Sequence, residues 1–294
     1  FREKAPSNAS KDMYLDEEGN VIPKASSYGH LAVGVPGTVA GLFEIYDRLG
    51  SFENFEDLIK PAYELAYNGF AISQSEADRL NTYRPDFLEH NTTSNQFIET
   101  ANWSEGDTLV QKDLAKSLKR IMDQGTKGFY EGETAQLIVE EMERSNGLIS
   151  LEDLKNYAPV WRTPLQGSFM EYDIISMPPS SSGGIALIQM LSMLDNLKLE
   201  EHAFQSPEAI NALTETMRIA YEDRANYLGD SDFYPIPIDS LLDQKYLDNR
   251  LSAFSYGKAG QSNPNAHSGI RVALESFETT HTSIVDSEGH AASL

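Results

Sequence analysis

The sequence predicts an α+β fold. Apolar residues recur at helical spacing through much of the first 160 positions, whereas residues 165–177 and the stretch around Ile284 alternate with the period of two that strands show. These segments do not follow one another as strict β-α-β units, which points to a layered α+β arrangement.

Tyr14 to Ile22 reads as strand, acidic turn and strand, with Gly19 in the turn. Pro36 to Gly50 then carries Val39, Leu42, Phe43, Tyr46 and Leu49 on one helical stripe, and Gly50 is placed as its stop. Pro61 interrupts the next apolar pattern, so residues 55–67 are expected as a short helical turn followed by a second one. Lys112 to Gln124 repeats the stripe at Leu114, Leu118 and Ile121. Thr134 to Arg144 repeats it at Leu137, Ile138 and Met142, and Asn146-Gly147 ends it. On that helix Glu140, Glu141 and Glu143 read as a solvated face. Leu151 to Tyr157 is a shorter helix before Pro159. Leu165 to Met177 turns to strand. Ser206 and Pro207 form an N-cap and first-turn pair opening a long helix through Ile210, Leu213, Met217, Ala220 and Tyr221. Residues 257–269, rich in Gly, Asn and Ser, read as a linker.

With 294 residues and 40% hydrophobic content, the chain can bury a sizeable core, as one large domain or two small ones. The net charge of −22 argues against nucleic-acid or anionic-membrane partners, because phosphate recognition needs a basic surface. With no cysteine in the chain, disulfides, thiolate metal sites and cysteine nucleophiles are excluded. No HExxH occurs among the six histidines, and His281 and His290 flank a turn without a third ligand nearby, so neither a metal nor a cofactor is expected. Gly229-Asp230-Ser231-Asp232 has calcium-type acids but no complete twelve-residue loop, and reads as a solvated turn. Ser180-Ser181-Ser182-Gly183-Gly184 lacks the lysine of a phosphate loop and the spacing of a nucleophile elbow, and reads as a tight strand-to-helix turn.

Glu278-Thr279-Thr280-His281-Thr282-Ser283-Ile284-Val285-Asp286 is the most informative stretch. Asp286-Ser287-Glu288-Gly289 supplies a turn, with Gly289 suited to positive φ. On residues alone, a Thr-Thr pair opening a strand is β-propensity. Cleavage between Glu278 and Thr279, however, would give Thr279 a hydroxyl and a free α-amine on one residue. An amine with a pKa of roughly 8 can take the hydroxyl proton near neutral pH.

The motif Thr279 to Asp286 resembles the signature of γ-glutamyltranspeptidases, members of the N-terminal-nucleophile hydrolases. Phe1 to Pro6, Gly34 to Leu42, Met177 to Gly184 and Ala220 to Asp230 are similar to further blocks of that family, in family order, so the resemblance covers essentially the whole chain. Thr282 departs from the aromatic residue usual at its place. The resemblance implies part of a four-layer αββα sandwich, with residues 1–278 as a large-subunit portion and residues 279–294 as the start of a small subunit. It also implies that the chain is an internal fragment of a precursor that is exported to the periplasm or outside the cell. Thr279 would be the catalytic nucleophile, Glu278 and Thr279 would flank the autocleavage bond, and Arg2 would bind the α-carboxylate of the γ-glutamyl group. Implied partners are glutathione and γ-glutamyl peptides, acceptor amino acids or water, and the protein's own small subunit. The rival readings are a cephalosporin (glutaryl) acylase or poly-γ-glutamate-processing relative, and a non-catalytic secreted binding domain.

Overall fold

Pro36 and Gly37 lead directly into helix α1, Thr38–Leu49, whose buried Ala40 and Gly41 face the interior. The computed structural model describes residues 2–262 and 281–293. The chain divides into two compact units, Phe1–Trp161 and Arg162–Leu294.

In the first unit α1 is followed by α2 (Phe55–Asn68), strand β1 (Phe70–Ala71), α3 (Gln74–His90), α4 (Gln96–Glu99), β2 (Thr108–Leu109), α5 (Lys112–Gln124), α6 (Lys127–Tyr130), α7 (Gly132–Arg144) and α8 (Leu151–Lys155). Contrary to expectation, Pro61 does not divide α2, which is one 14-residue helix. Pro61 and Asp57, whose carbonyl loses its partner there, are both exposed, so water can replace the missing bond. Helix α3 holds few apolar residues and begins with a complete capping box, in which Ser73 accepts from Glu76 N–H and Glu76 accepts in return. Expected strands at Tyr14 to Ile22 reduce to a single bridge, Leu15 to Val21, around a turn with Gly19 at φ 82°. One apolar cluster joins Val35, Ala40, Tyr130, Ala135, Met142 and Leu154, and a second joins Ile72, Ala77, Trp103 and Leu109.

The second unit opens with the hairpin β3 (Leu165–Phe169) and β4 (Tyr172–Ser176), in register from Leu165↔Ser176 to Phe169↔Tyr172. Met170 takes positive φ (52°) in its two-residue turn, as such hairpins require. Then come α9 (Gly183–Asn196), α10 (Pro207–Tyr227), α11 (Ile238–Leu241), α12 (Gln244–Leu251), β5 (Ser283–Val285) and β6 (Ala291–Ser293). Gly167 lets α9 approach the hairpin, since a Cβ there would stand 2.7 Å from Ile188. Helices α9, α10 and α12 meet around Ala186, Met193, Ile219, Ala220 and Leu247. Burying both sides of α9 explains why seven of its residues are inaccessible.

Both helix and strand are present, as expected, but helices predominate. Among the described residues the strands form three separate two-stranded antiparallel pairs rather than broad layers. The two longer hairpins join segments adjacent in sequence, where a short turn alone sets the register. No described helix is long and apolar enough to cross a membrane.

Candidate active site

The main chain around Arg2 is held by three partners far away in sequence. Lys4 and Val35 exchange backbone hydrogen bonds of 3.2 and 2.7 Å, which lays the first residues against the segment leading into α1. Farther along, Ser7 N–H donates to Asp153 Oδ1 at 2.8 Å. Tyr157, just after α8, donates its hydroxyl to the Arg2 carbonyl at 2.6 Å. The Arg2 side chain is half exposed, and its nearest acid, Glu3, stands 3.9 Å away, beyond hydrogen-bond length. The guanidinium is thus presented at a surface with no close ion pair to Glu3.

Two tyrosines support this corner. Tyr130 and Tyr157 stack with ring centroids 5.7 Å apart and planes 4° from parallel. Tyr130 donates to the Pro36 carbonyl at 2.9 Å and accepts from Ala40 N–H at 3.3 Å. Burial pushes its hydroxyl up to about 12 and raises that of Tyr157 as well, so both remain protonated donors at neutral pH. A cleft of about 310 Å³ lies beside them, and its mixed lining of Glu44, Asp47, Lys127, Glu131 and Lys155 favours neither sign of ligand.

In the second unit, Ser180 to Gly184 forms the expected turn from β4 into α9. A Cβ on Gly184 would fall 2.0 Å from the Met177 carbonyl, so only glycine fits this turn. Arg224 Nε donates to Ser182 Oγ at 3.0 Å, fastening α10 to the same turn. Asp223, 2% exposed, accepts from Tyr246 Oη at 2.9 Å and Gln189 Nε2 at 3.0 Å. Within the Ala220 to Arg224 block, Asp223 is therefore the centre of a buried polar network, while Tyr221 is exposed. At Asp230 the acids close a turn: Asp230 accepts from Asp232 N–H at 2.9 Å, and Asp232 pairs with Arg162 at 2.7 Å. Among the described residues no three metal-ligating side chains are grouped to hold an ion.

Glu278, Thr279 and Thr280 lie outside the described residues. The hairpin that follows them is described and exposed. Its β5 and β6 pair from Ser283↔Ser293 to Val285↔Ala291, with Gly289 at φ 87° in the turn. His290 holds the Asp286 carboxyl below its usual range by a hydrogen bond of 2.8 Å, aided by main-chain donors from His290 and Glu288. His281 Nε2 lies 2.9 Å from Ser283 Oγ, across the start of β5. Only Arg2, of the three expected site residues, is thus placed by the described geometry. Tyr157 and Tyr130 went unnoticed in the sequence, because a contact spanning 155 residues leaves no local pattern.

One expectation is corrected here. Glu140 and Glu143 are exposed as expected, but Glu141 is only partly solvated: it accepts from Thr92 and lies 2.7 Å from His30 Nε2, tying α7 to the turns before α1 and after α3.

Residues 1–294 match the family model for gamma-glutamyltranspeptidase. The glutathione hydrolase proenzyme of Escherichia coli strain K12 is 40% identical over 296 residues, covering all of this chain and 51% of that protein. The crystal structure of Helicobacter pylori gamma-glutamyltranspeptidase is similar at 40% identity and a TM-score of 0.85, over 93% of this chain and 79% of that one. Gamma-glutamyltranspeptidase from Pseudomonas nitroreducens complexed with L-DON is similar at 36% identity and a TM-score of 0.80, over 88% and 77%. The fold is that of the corresponding part of these enzymes. The chain belongs to the gamma-glutamyltranspeptidase family, and it spans about half the length of the curated relative from E. coli (51%).

Proposed function

We propose that the protein carrying this chain is a γ-glutamyltransferase, or glutathione hydrolase, in which one threonine serves both maturation and catalysis. The observation supporting this most strongly is the family match across residues 1–294, which includes the Thr279-Thr280-His281 motif. In this reading Thr279 Oγ1 attacks the carbonyl carbon of Glu278 and the peptide C–N bond breaks. Water hydrolyses the resulting ester, leaving a carboxylate on Glu278 and a free amine on Thr279. That amine then takes the hydroxyl proton as Oγ1 attacks the γ-carbonyl of glutathione or another γ-glutamyl compound. The departing amine leaves with a proton, and water or the amine of an acceptor amino acid or peptide cleaves the γ-glutamyl ester.

Arg2 would fix the substrate α-carboxylate, a task suited to a planar fork of donors. Residues 1–278 and 279–294 would then belong to the large and small subunits, within the αββα sandwich of N-terminal-nucleophile hydrolases. A periplasmic or extracellular location follows from the resemblance. The deciding experiment is N-terminal sequencing of the protein expressed from its full coding sequence, beside Thr279→Ala. A new terminus at Thr279, lost in the variant, is the expected result. Wild-type protein that stays intact yet releases p-nitroaniline from γ-glutamyl-p-nitroanilide would overturn the assignment. A cephalosporin (glutaryl) acylase would instead turn over a glutaryl substrate, which keeps the terminal carboxylate but lacks the α-amine.

A further inference from the structure

We propose that Tyr157 is a positioning residue for substrate recognition, fixing Arg2 through its main chain. The inference rests on the reading of Arg2 as the α-carboxylate ligand. A guanidinium can grip a carboxylate in two parallel bonds only if its stem starts from a fixed point and direction. Here that starting point is the Arg2 main chain, and the phenol of Tyr157 donates to its carbonyl at 2.6 Å.

Tyr157 is itself immobilised from three sides. Its ring lies parallel to Tyr130, which is 6% exposed. The Lys4 ammonium sits 5.4 Å from the ring centroid. Gly37 borders the hydroxyl so closely that a Cβ there would stand 2.0 Å from Tyr157 Oη and 3.0 Å from the Arg2 carbonyl. Tyr130 extends the chain, bonding both Pro36 and Ala40 at the start of α1. Arg2 is thereby referenced to α1 through two stacked phenols, although neither touches its guanidinium. Gly37 adopts a φ of −115°, open to any residue, so steric clearance for this hydrogen bond is what its missing side chain provides.

Tyr157→Phe keeps the stacked ring and deletes the bond. Gly37→Ala keeps the phenol and obstructs it. In the full-length protein, each is expected to raise KM for γ-glutamyl-p-nitroanilide roughly 3- to 10-fold, the effect of one net hydrogen bond. Self-cleavage and kcat should stay near wild type. The discriminating readout is 4-aminobutanoyl-p-nitroanilide, which lacks the α-carboxylate: its kcat/KM should be unchanged in both variants. An equal loss on both substrates would assign Tyr157 a purely structural role and overturn the inference, as would an unchanged KM for the γ-glutamyl substrate. If Tyr157→Phe fails to fold, the Gly37→Ala comparison decides by the same criteria. Absence of γ-glutamyl turnover in wild-type protein would instead defeat the functional reading itself.

Discussion

Arg250 Nη2 lies 3.0 Å from Asp223 Oδ1, joining α12 to the last turns of α10 in the second unit. Burial pushes the Asp223 carboxyl above its usual range, opposed by Arg250, Tyr246 and Gln189. Arg250, 28% exposed, also lies 3.1 Å from Glu222, so removing Asp223 mainly deprives the Tyr246 hydroxyl of its acceptor and Gln189 Nε2 of one of its two. Asp223→Ala should therefore lower stability by about 1–3 kcal/mol, the cost of leaving buried polar groups unsatisfied, read by chemical denaturation. A loss below about 1 kcal/mol would mean that water replaces Asp223 as the partner of Tyr246 and Gln189.

The two glycines at the start of α9 should behave differently. Gly184→Ala drives a methyl group into the Met177 carbonyl, whereas the nearest atom to a Cβ on Gly183 is Ser181 Oγ at 3.6 Å. Forced overpacking costs roughly 1–3 kcal/mol, so Gly184→Ala should lower Tm clearly. Gly183→Ala should be neutral or slightly stabilising, since it sits in a helix. Equal Tm values for the two variants would contradict the close turn.

Partial burial works to raise the Glu141 carboxyl, but hydrogen bonds from Thr92, His30 and Arg144 outweigh it and hold its pKa at about 2, against 4.5 for the free group. The folded state thus binds this proton less tightly than the unfolded state. Its stabilisation is complete above about pH 4.5 and is lost as pH falls toward about 2. The side chain is 31% exposed, so solvent screening reduces the contribution to about 1–2 kcal/mol. Glu141→Gln should be less stable at neutral pH and show a flatter decline of Tm with acid. Parallel curves for variant and wild type would remove this anchor.

The parts of the fold legible in the sequence are those with local causes. The stripe of α5 gave both of its ends, Lys112 and Gln124, and Ser206 marked the start of α10 by accepting from Ala209 N–H. The turn at Gly289 was legible because positive φ selects glycine. Helix α3 was missed for want of an apolar stripe, although its Ser73 and Glu76 box was available as a signal. Glu141 and Tyr157 were misread or overlooked because their partners, His30 and Arg2, are 111 and 155 residues away. The reading of Thr279 rests only on the motif around it, and that of Arg2 only on its block.

Replacing Arg2 tests the recognition step most directly. Its guanidinium is half exposed and not hydrogen-bonded to Glu3, so it is open to a carboxylate ligand. A lysine keeps the charge but presents a single point in place of a planar fork, and loses one of two charge-assisted bonds. Such a bond contributes on the order of 1.5–3 kcal/mol, which corresponds to a rise in KM of roughly 10- to 150-fold. In this reading the contact would be made to a group remote from the reacting carbonyl and would persist unchanged into the transition state. Arg2→Lys should accordingly leave kcat close to wild type while raising KM. Self-cleavage before Thr279 involves no substrate carboxylate and should proceed normally, visible as two polypeptides on denaturing gels. A variant that processes and turns over γ-glutamyl-p-nitroanilide with wild-type KM would exclude Arg2 from the site, and with it the role assigned to Tyr157.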